Sequence, residues 1–274
     1  MKKIAIIGAG ISGLYFANLL KNNSNYRFSI FEKKPELNFN NGYGIQLSAN
    51  TVKLLNEIGF DKIDSNEIYH PKKINFFSAD DNHKICELDI TFFNNDLEKY
   101  STLKRTKLIK FLAKNFLKDK IKFNSELTSV NYNKHIELTF KDDYKECFDY
   151  LVVSDGIFSK TKSIIFNKLI CPKYSKSIAL RGTIKNCSSK DISLYLGSNF
   201  HYVIYPVNHS NECNFISIIG KKIASDQIMD NNLFSDNNYI NSIINDLSNK
   251  MSDKIISKLE NIKIFPIFVS EKIK

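Results

Sequence analysis

Six residues near the start of the chain, Gly8-Ala9-Gly10-Ile11-Ser12-Gly13, restrict the fold more than any other segment. A β-branched run at 3–8 leads into them, and residues 14–20 follow with Leu14, Ala17 and Leu20 on one helical face. A second apolar run at 28–31 ends at Glu32, 19 residues beyond Gly13. Strand, glycine turn, helix, strand and acid is the order of a βαβ unit built around a diphosphate. Gly8 permits the tight turn, Gly10 lets a pyrophosphate approach the backbone, and Gly13 lets helix and strand pack closely. The free N–H groups at the helix start, at Ile11 and Ser12, complement phosphate charge. Glu32 can accept hydrogen bonds from both ribose hydroxyls, and Lys33 follows it directly. An acid there disfavours a 2′-phosphate, which leaves FAD or NAD for this site.

The rest of the chain does not continue the strand–helix alternation of a plain NAD-binding domain. A polar loop after Lys33-Lys34-Pro35 leads to Gly42-Tyr43-Gly44-Ile45-Gln46-Leu47-Ser48-Ala49-Asn50, and a helix is expected over 51–58. Strands are expected at 73–77 and 85–88, and a helix at 105–117 with Leu108, Leu112 and Phe116 as its stripe. Three strands follow at 126–132, 135–140 and 144–148. Residues 149–153 read as a buried strand that ends at Ser154-Asp155-Gly156.

These segments carry a resemblance. The chain resembles the class A FAD-dependent aromatic monooxygenases of the para-hydroxybenzoate hydroxylase fold, nearest to the salicylate-hydroxylase-like members. Residues 4–32 are similar to the family's FAD fingerprint, and 42–50 to its glycine-rich loop. Lys104-Arg105-Thr106-Lys107-Leu108 resembles its arginine-led helix start, and Ser154-Asp155-Gly156-Ile157-Phe158-Ser159-Lys160 its Asp-Gly motif. The resemblance resolves the cofactor to FAD, with NADH or NADPH as co-substrate, O2 as oxidant and a small aromatic ring as substrate. It assigns FAD contact to Gly44, to Arg105 near the phosphate or ribityl region, to the backbone of Val130 near the adenine, and to Asp155 and Gly156. It names no acid or base, because the cofactor supplies the hard chemistry.

The implied fold class is α/β: a Rossmann-like FAD-binding domain with a mostly antiparallel β-sheet substrate domain. The expected division is 1–70 and 100–172 for FAD, and 71–99 and 173–268 for substrate. Strand-like pieces at 178–184, 194–196, 201–205 and 214–219, with a turn at 208–211, build the second domain. Tyr202, Ile204 and Tyr205 are its candidate pocket residues, since aromatic and aliphatic walls suit a flat ring. Helices are expected within 234–261 and a closing strand at 262–265. The family's third fingerprint, a Gly-Asp pair, does not occur in the sequence, which stops at Lys274 where that motif is expected. The resemblance thus implies a C-terminally shortened member. Two alternatives stay open: a flavin-dependent oxidoreductase without oxygen insertion, and an inactive FAD-binding fragment.

Composition narrows the remaining classes. At 43% hydrophobic and 25% charged, 274 residues suffice for a packed core. No apolar run of roughly 18 residues suggests a membrane span. The +10 net charge comes from dispersed lysines with no basic cluster, so a nucleic-acid partner is not expected. Five cysteines at 86, 147, 171, 187 and 213 form no Cys-x-x-Cys pair. They read as reduced thiols of a cytoplasmic protein, and the five histidines as loop or surface residues without metal spacing.

Overall fold

The computed structural model describes residues 1–39, 42–117, 119–248 and 253–270. In chain order, β1 (Lys2–Ile7), α1 (Ile11–Leu20) and β2 (Tyr26–Phe31) come first, then β3 (Gly44–Leu47), α2 (Ala49–Asn56) and β4 (Ile68–Tyr69). Next are β5 (Lys73–Ser78), β6 (Lys84–Asp89), β7 (Ser101–Lys104) and α3 (Arg105–Ala113). β8 (Ile121–Lys122), β9 (Leu127–Tyr132), β10 (Ile136–Phe140), β11 (Lys145–Phe148), β12 (Tyr150–Val153) and α4 (Lys160–Ile165) follow. The chain continues through β13 (Lys173–Ile184), β14 (Ile192–Leu196), β15 (Phe200–Pro206) and β16 (Cys213–Gly220) to α5 (Asn237–Ser248), α6 (Asp253–Ile256) and β17 (Leu259–Val269). Residues 249–252, inside the expected helical stretch, lie outside the described residues.

Two compact units share this chain. The first comprises Met1–Asn41, Thr106–Lys173 and Val269–Lys274; the second comprises Gly42–Arg105 and Tyr174–Phe268. The first break falls at 41/42, not 70/71 as the sequence suggested, and residues 100–105 also join the second unit. Hydrogen bonds explain the shift. β3, β7 and β4 form a small antiparallel sheet tied to the second unit, where Gly44 N donates to Asn214 Oδ1 (2.6 Å) and Thr102 Oγ1 to Pro206 O (2.5 Å).

In the first unit a parallel sheet runs β12-β1-β2-β8, with Ile4 opposite Tyr150 and Phe28. Ala5 and Ile6 are fully buried, as a parallel strand covered on both faces requires. One face receives the antiparallel sheet β11-β10-β9 through Phe31, which stacks on Phe140 (4.3 Å) and meets Phe148 edge-on (5.8 Å). α1 and α3 are linked by buried Asn18, whose Nδ2 donates to Leu14 O and Leu112 O, both at 2.8 Å. This amide satisfies its own buried donors, which explains a polar residue on a core face.

The second unit centres on a seven-stranded sheet of order β17-β13-β16-β15-β14-β5-β6. Its pairs are mostly antiparallel, but β14 runs parallel to β5. α5 covers one face, placing Ile240, Ile243 and Leu247 in a core with Ile178, Leu180, Tyr202, Ile204 and Phe215. Cys187 and Cys213 are disulfide-bonded, which corrects the expectation of five reduced thiols; Cys86, Cys147 and Cys171 are free and exposed. Ladder pairing of Ile184 with Cys213, and the Cys187 N–H to Asn211 O bond (2.8 Å), bring together cysteines 26 residues apart. Their spacing alone carried no sign of this.

Candidate functional site

The glycine turn lies between β1 and α1 and closes against the end of β12. Gly8 sits at φ +99°, and a Cβ there would lie 2.5 Å from Ser154 O. A Cβ on Gly13 would lie 2.1 Å from Gly8 O and 2.6 Å from Ser154 Oγ. Ser154 donates through Oγ to Ile7 O (2.8 Å), with Gly8 O at 3.2 Å, and its N–H also donates to Ile7 O (2.8 Å). Sequence reading missed this anchoring role, for which the only signal was a small polar residue directly before the Asp-Gly pair. Gly10 differs from the other two: nothing lies within 4 Å of the Cβ it lacks. It is the N-cap of α1, with extended backbone and no side-chain cap hydrogen bond to the first N–H groups of the helix. Ile11 is partly buried, and Ser12, exposed on the first turn, does not cap it.

Glu32 follows β2 and accepts from Ala9 N through Oε2 and from Lys34 N through Oε1, both at 3.0 Å. Its carboxylate is thereby fixed beside the turn, with lone pairs remaining for a ligand. Lys33 is exposed. Asp155 directs Oδ2 to Thr161 Oγ1 (2.9 Å) and N (3.3 Å), while its Oδ1 is buried and has no partner among the described residues. Gly156 adopts φ +83°, a conformation that favours glycine, with open space where a Cβ would stand. Val130, on β9, packs against the Phe31 core. Gly8, Gly10, Ile11, Ser12, Gly13, Glu32, Lys33, Asp155 and Gly156 therefore all lie in the first unit, and Gly44 and Arg105 in the second.

The second unit holds a polar cluster of its own. Gly44 begins β3 with no room for a Cβ: Asn214 Cβ would stand at 2.6 Å and the Tyr205 ring at 2.8 Å. Tyr100 Oη donates to Gln46 Oε1 (2.6 Å), and Tyr205 also hydrogen-bonds Gln46. The Arg181 guanidinium lies 5.8 Å from the Tyr43 ring centre, and Tyr43 O accepts from Arg105 N (2.9 Å). Burial, then the Arg181 charge, pushes the Arg105 pKa down, although a guanidinium stays protonated. Burial raises the Tyr205 phenol well above its ordinary value, and Arg181 partly opposes this. Asn214 is 1% exposed, and its Nδ2 has no partner among the described residues.

Strand alternation corrects the expected pocket. Tyr202 and Ile204 point into the α5-covered core, where Tyr202 stacks on Tyr195 at 4.4 Å. Tyr205 faces the other way, with Val203, Ile192 and Val207. Arg181 on β13 and Val203 on β15 both lie opposite Ile216 of β16 and so share the face opposite α5. Arg181 and Asn214 were not singled out from sequence, since one arginine and one asparagine on strands carry no motif.

Comparison with known proteins agrees with this geometry. Residues 6–51 match the NAD(P)-binding Rossmann-like domain family. A trimethylamine monooxygenase of Pelagibacter ubique (strain HTCC1002) is 46% identical over 54 residues, a stretch covering 18% of this chain and 12% of that protein. Among solved structures, 2,6-dihydroxypyridine-3-hydroxylase from Arthrobacter nicotinovorans superposes with a TM-score of 0.82 at 15% identity, over 97% of this chain and 72% of that one. Klebsiella pneumoniae HpxO complexed with FAD and uric acid gives 0.81 at 16% identity, over 97% and 68%. The fold is that of the class A FAD-dependent aromatic hydroxylases: a Rossmann-like unit with a mostly antiparallel second unit.

Proposed function

We propose that the chain binds FAD and acts as an NAD(P)H-dependent monooxygenase on a small, electron-rich aromatic ring. The observation that carries the reading is the glycine turn itself. It is closed against Ser154 yet open over Gly10, beside an uncapped helix start, with a buried Asp155 oxygen that has no partner among the described residues. A buried carboxylate oxygen without a partner is costly unless a ligand donor fills the role. The residues present fit a flavin dinucleotide. The Gly10–Gly13 turn would take the pyrophosphate, Glu32 the adenosine ribose, the Val130 backbone the adenine and Asp155 Oδ1 a hydroxyl donor of the cofactor. In the second unit Arg105 is a permanent cation, the kind of group that suits an anionic ligand.

Bound FAD would supply hydride acceptance and oxygen activation. The protein's own share is binding, orientation and exclusion of water. On the face opposite α5, Arg181, Val203 and Ile216 are partly exposed and suit a flat ring carrying an anionic or carbonyl oxygen, while Tyr205 and Asn214 are buried there beside β3. The neutral Tyr205 phenol can donate a hydrogen bond across the whole physiological pH range.

Titration of the full chain with FAD, followed by absorbance and flavin fluorescence, tests the first step. Saturable binding that Asp155→Asn weakens about tenfold, the loss of one charge-assisted hydrogen bond, supports the reading. No binding at saturating FAD in a folded protein overturns it. Product analysis with NADH, NADPH and phenolic acids then separates ring hydroxylation from simple flavin reduction.

A further inference from the structure

We propose that β6 is a self-association strand, along which two copies of this chain pair antiparallel and extend the seven-stranded sheet across a two-fold axis. β6 ends that sheet and has no outer neighbour among the described residues. All six of its residues are exposed. Large hydrophobic side chains crowd the same short stretch: Ile85 is 51% exposed, Leu88 44%, Phe92 88%, Phe93 64% and Leu97 75%. Phe92 and Phe93 meet edge-on at 6.0 Å beside the strand. An unpaired strand edge flanked by apolar surface is an invitation to further pairing.

The order of charges along the strand selects the occupant. His83 and Lys84 precede its midpoint, and Glu87 and Asp89 follow it. An antiparallel second copy sets the basic end of each strand against the acidic end of the other, whereas a parallel one opposes like charges. Glu87 already bridges Lys84 and Lys73 (2.7 Å) at the surface. Such exposed pairs are weak enough to re-form with a partner strand. Asp89, Asp96 and Glu98 flank the phenylalanines in the sequence, a charge balance that disfavours an anionic membrane. The axis falls near Cys86, which is exposed, so the two Cys86 thiols come together.

Sedimentation velocity on the full chain, across about two decades of concentration, reads the association directly. A species at twice the 31.6 kDa chain mass is expected. Lys84→Glu should raise its dissociation constant about tenfold, and adding Glu87→Lys and Asp89→Lys should restore it, which a merely structural effect would not do. Mild oxidation should cross-link the wild-type dimer but not Cys86→Ser, in which Cys147 and Cys171 remain as internal controls. A monomer at every concentration overturns the proposal, as does a monomer that instead binds anionic vesicles. A dimer indifferent to these substitutions overturns it equally.

Discussion

Gly10 and Gly13 stand three residues apart, and the structure separates their duties. A methyl group on Gly13 meets backbone, Gly8 O at 2.1 Å, and neither side can yield. Gly13→Ala should cost about 1–3 kcal/mol of stability, read from urea unfolding. Gly10→Ala meets nothing within 4 Å and should leave that stability unchanged, yet it fills the space over the turn and should weaken FAD binding. A result with the two effects exchanged would refute the division. The glycine pattern and Glu32 were legible because their spacing follows from local backbone geometry. Ser154 and Asn214 were not, because their roles depend on strands distant in sequence: Ser154 meets Ile7, and Asn214 meets Gly44.

Strands were easier to find than to orient. The segment 201–205 was readable as a strand, but the exchange of Tyr202 for Tyr205 between faces was not. The four apolar residues after His201 carry no alternation from which to choose a side. β8 and β4, two residues each, were too short for any periodicity, although β8 closes one edge of the parallel sheet. The Cys187–Cys213 bridge joins the start of β16 to the segment after β13 across 26 residues. By loop-closure entropy it should contribute about 3 kcal/mol. Thermal melting of Cys187→Ser, or of the wild type with and without reductant, measures that. An unchanged midpoint would show that the ladder between Ile184 and Cys213 suffices alone.

At the level of the molecule, buried phenols set an alkaline limit. Burial pushes Tyr174 up to about 12, and raises Tyr202 and Tyr205 as well. In the unfolded chain tyrosines ionise near pH ~10, so the unfolded state loses protons first. Stability is therefore full below about pH 10 and falls as pH rises through about 12. Tyr174→Phe should flatten that decline in urea midpoints, and an identical slope would exclude its part. The two-unit architecture was legible in kind, from the change of pattern after Glu32. Its boundaries were not, because they follow hydrogen bonds such as Thr102 to Pro206. β1 is synthesised well before its partner β12, which comes at residues 150–153. At ribosomal speed that is a wait of roughly 7–30 s, during which Ile4-Ala5-Ile6-Ile7 has a bare edge. Until β12 emerges, that side of β1 is an unpaired strand edge of the kind that invites wrong pairing.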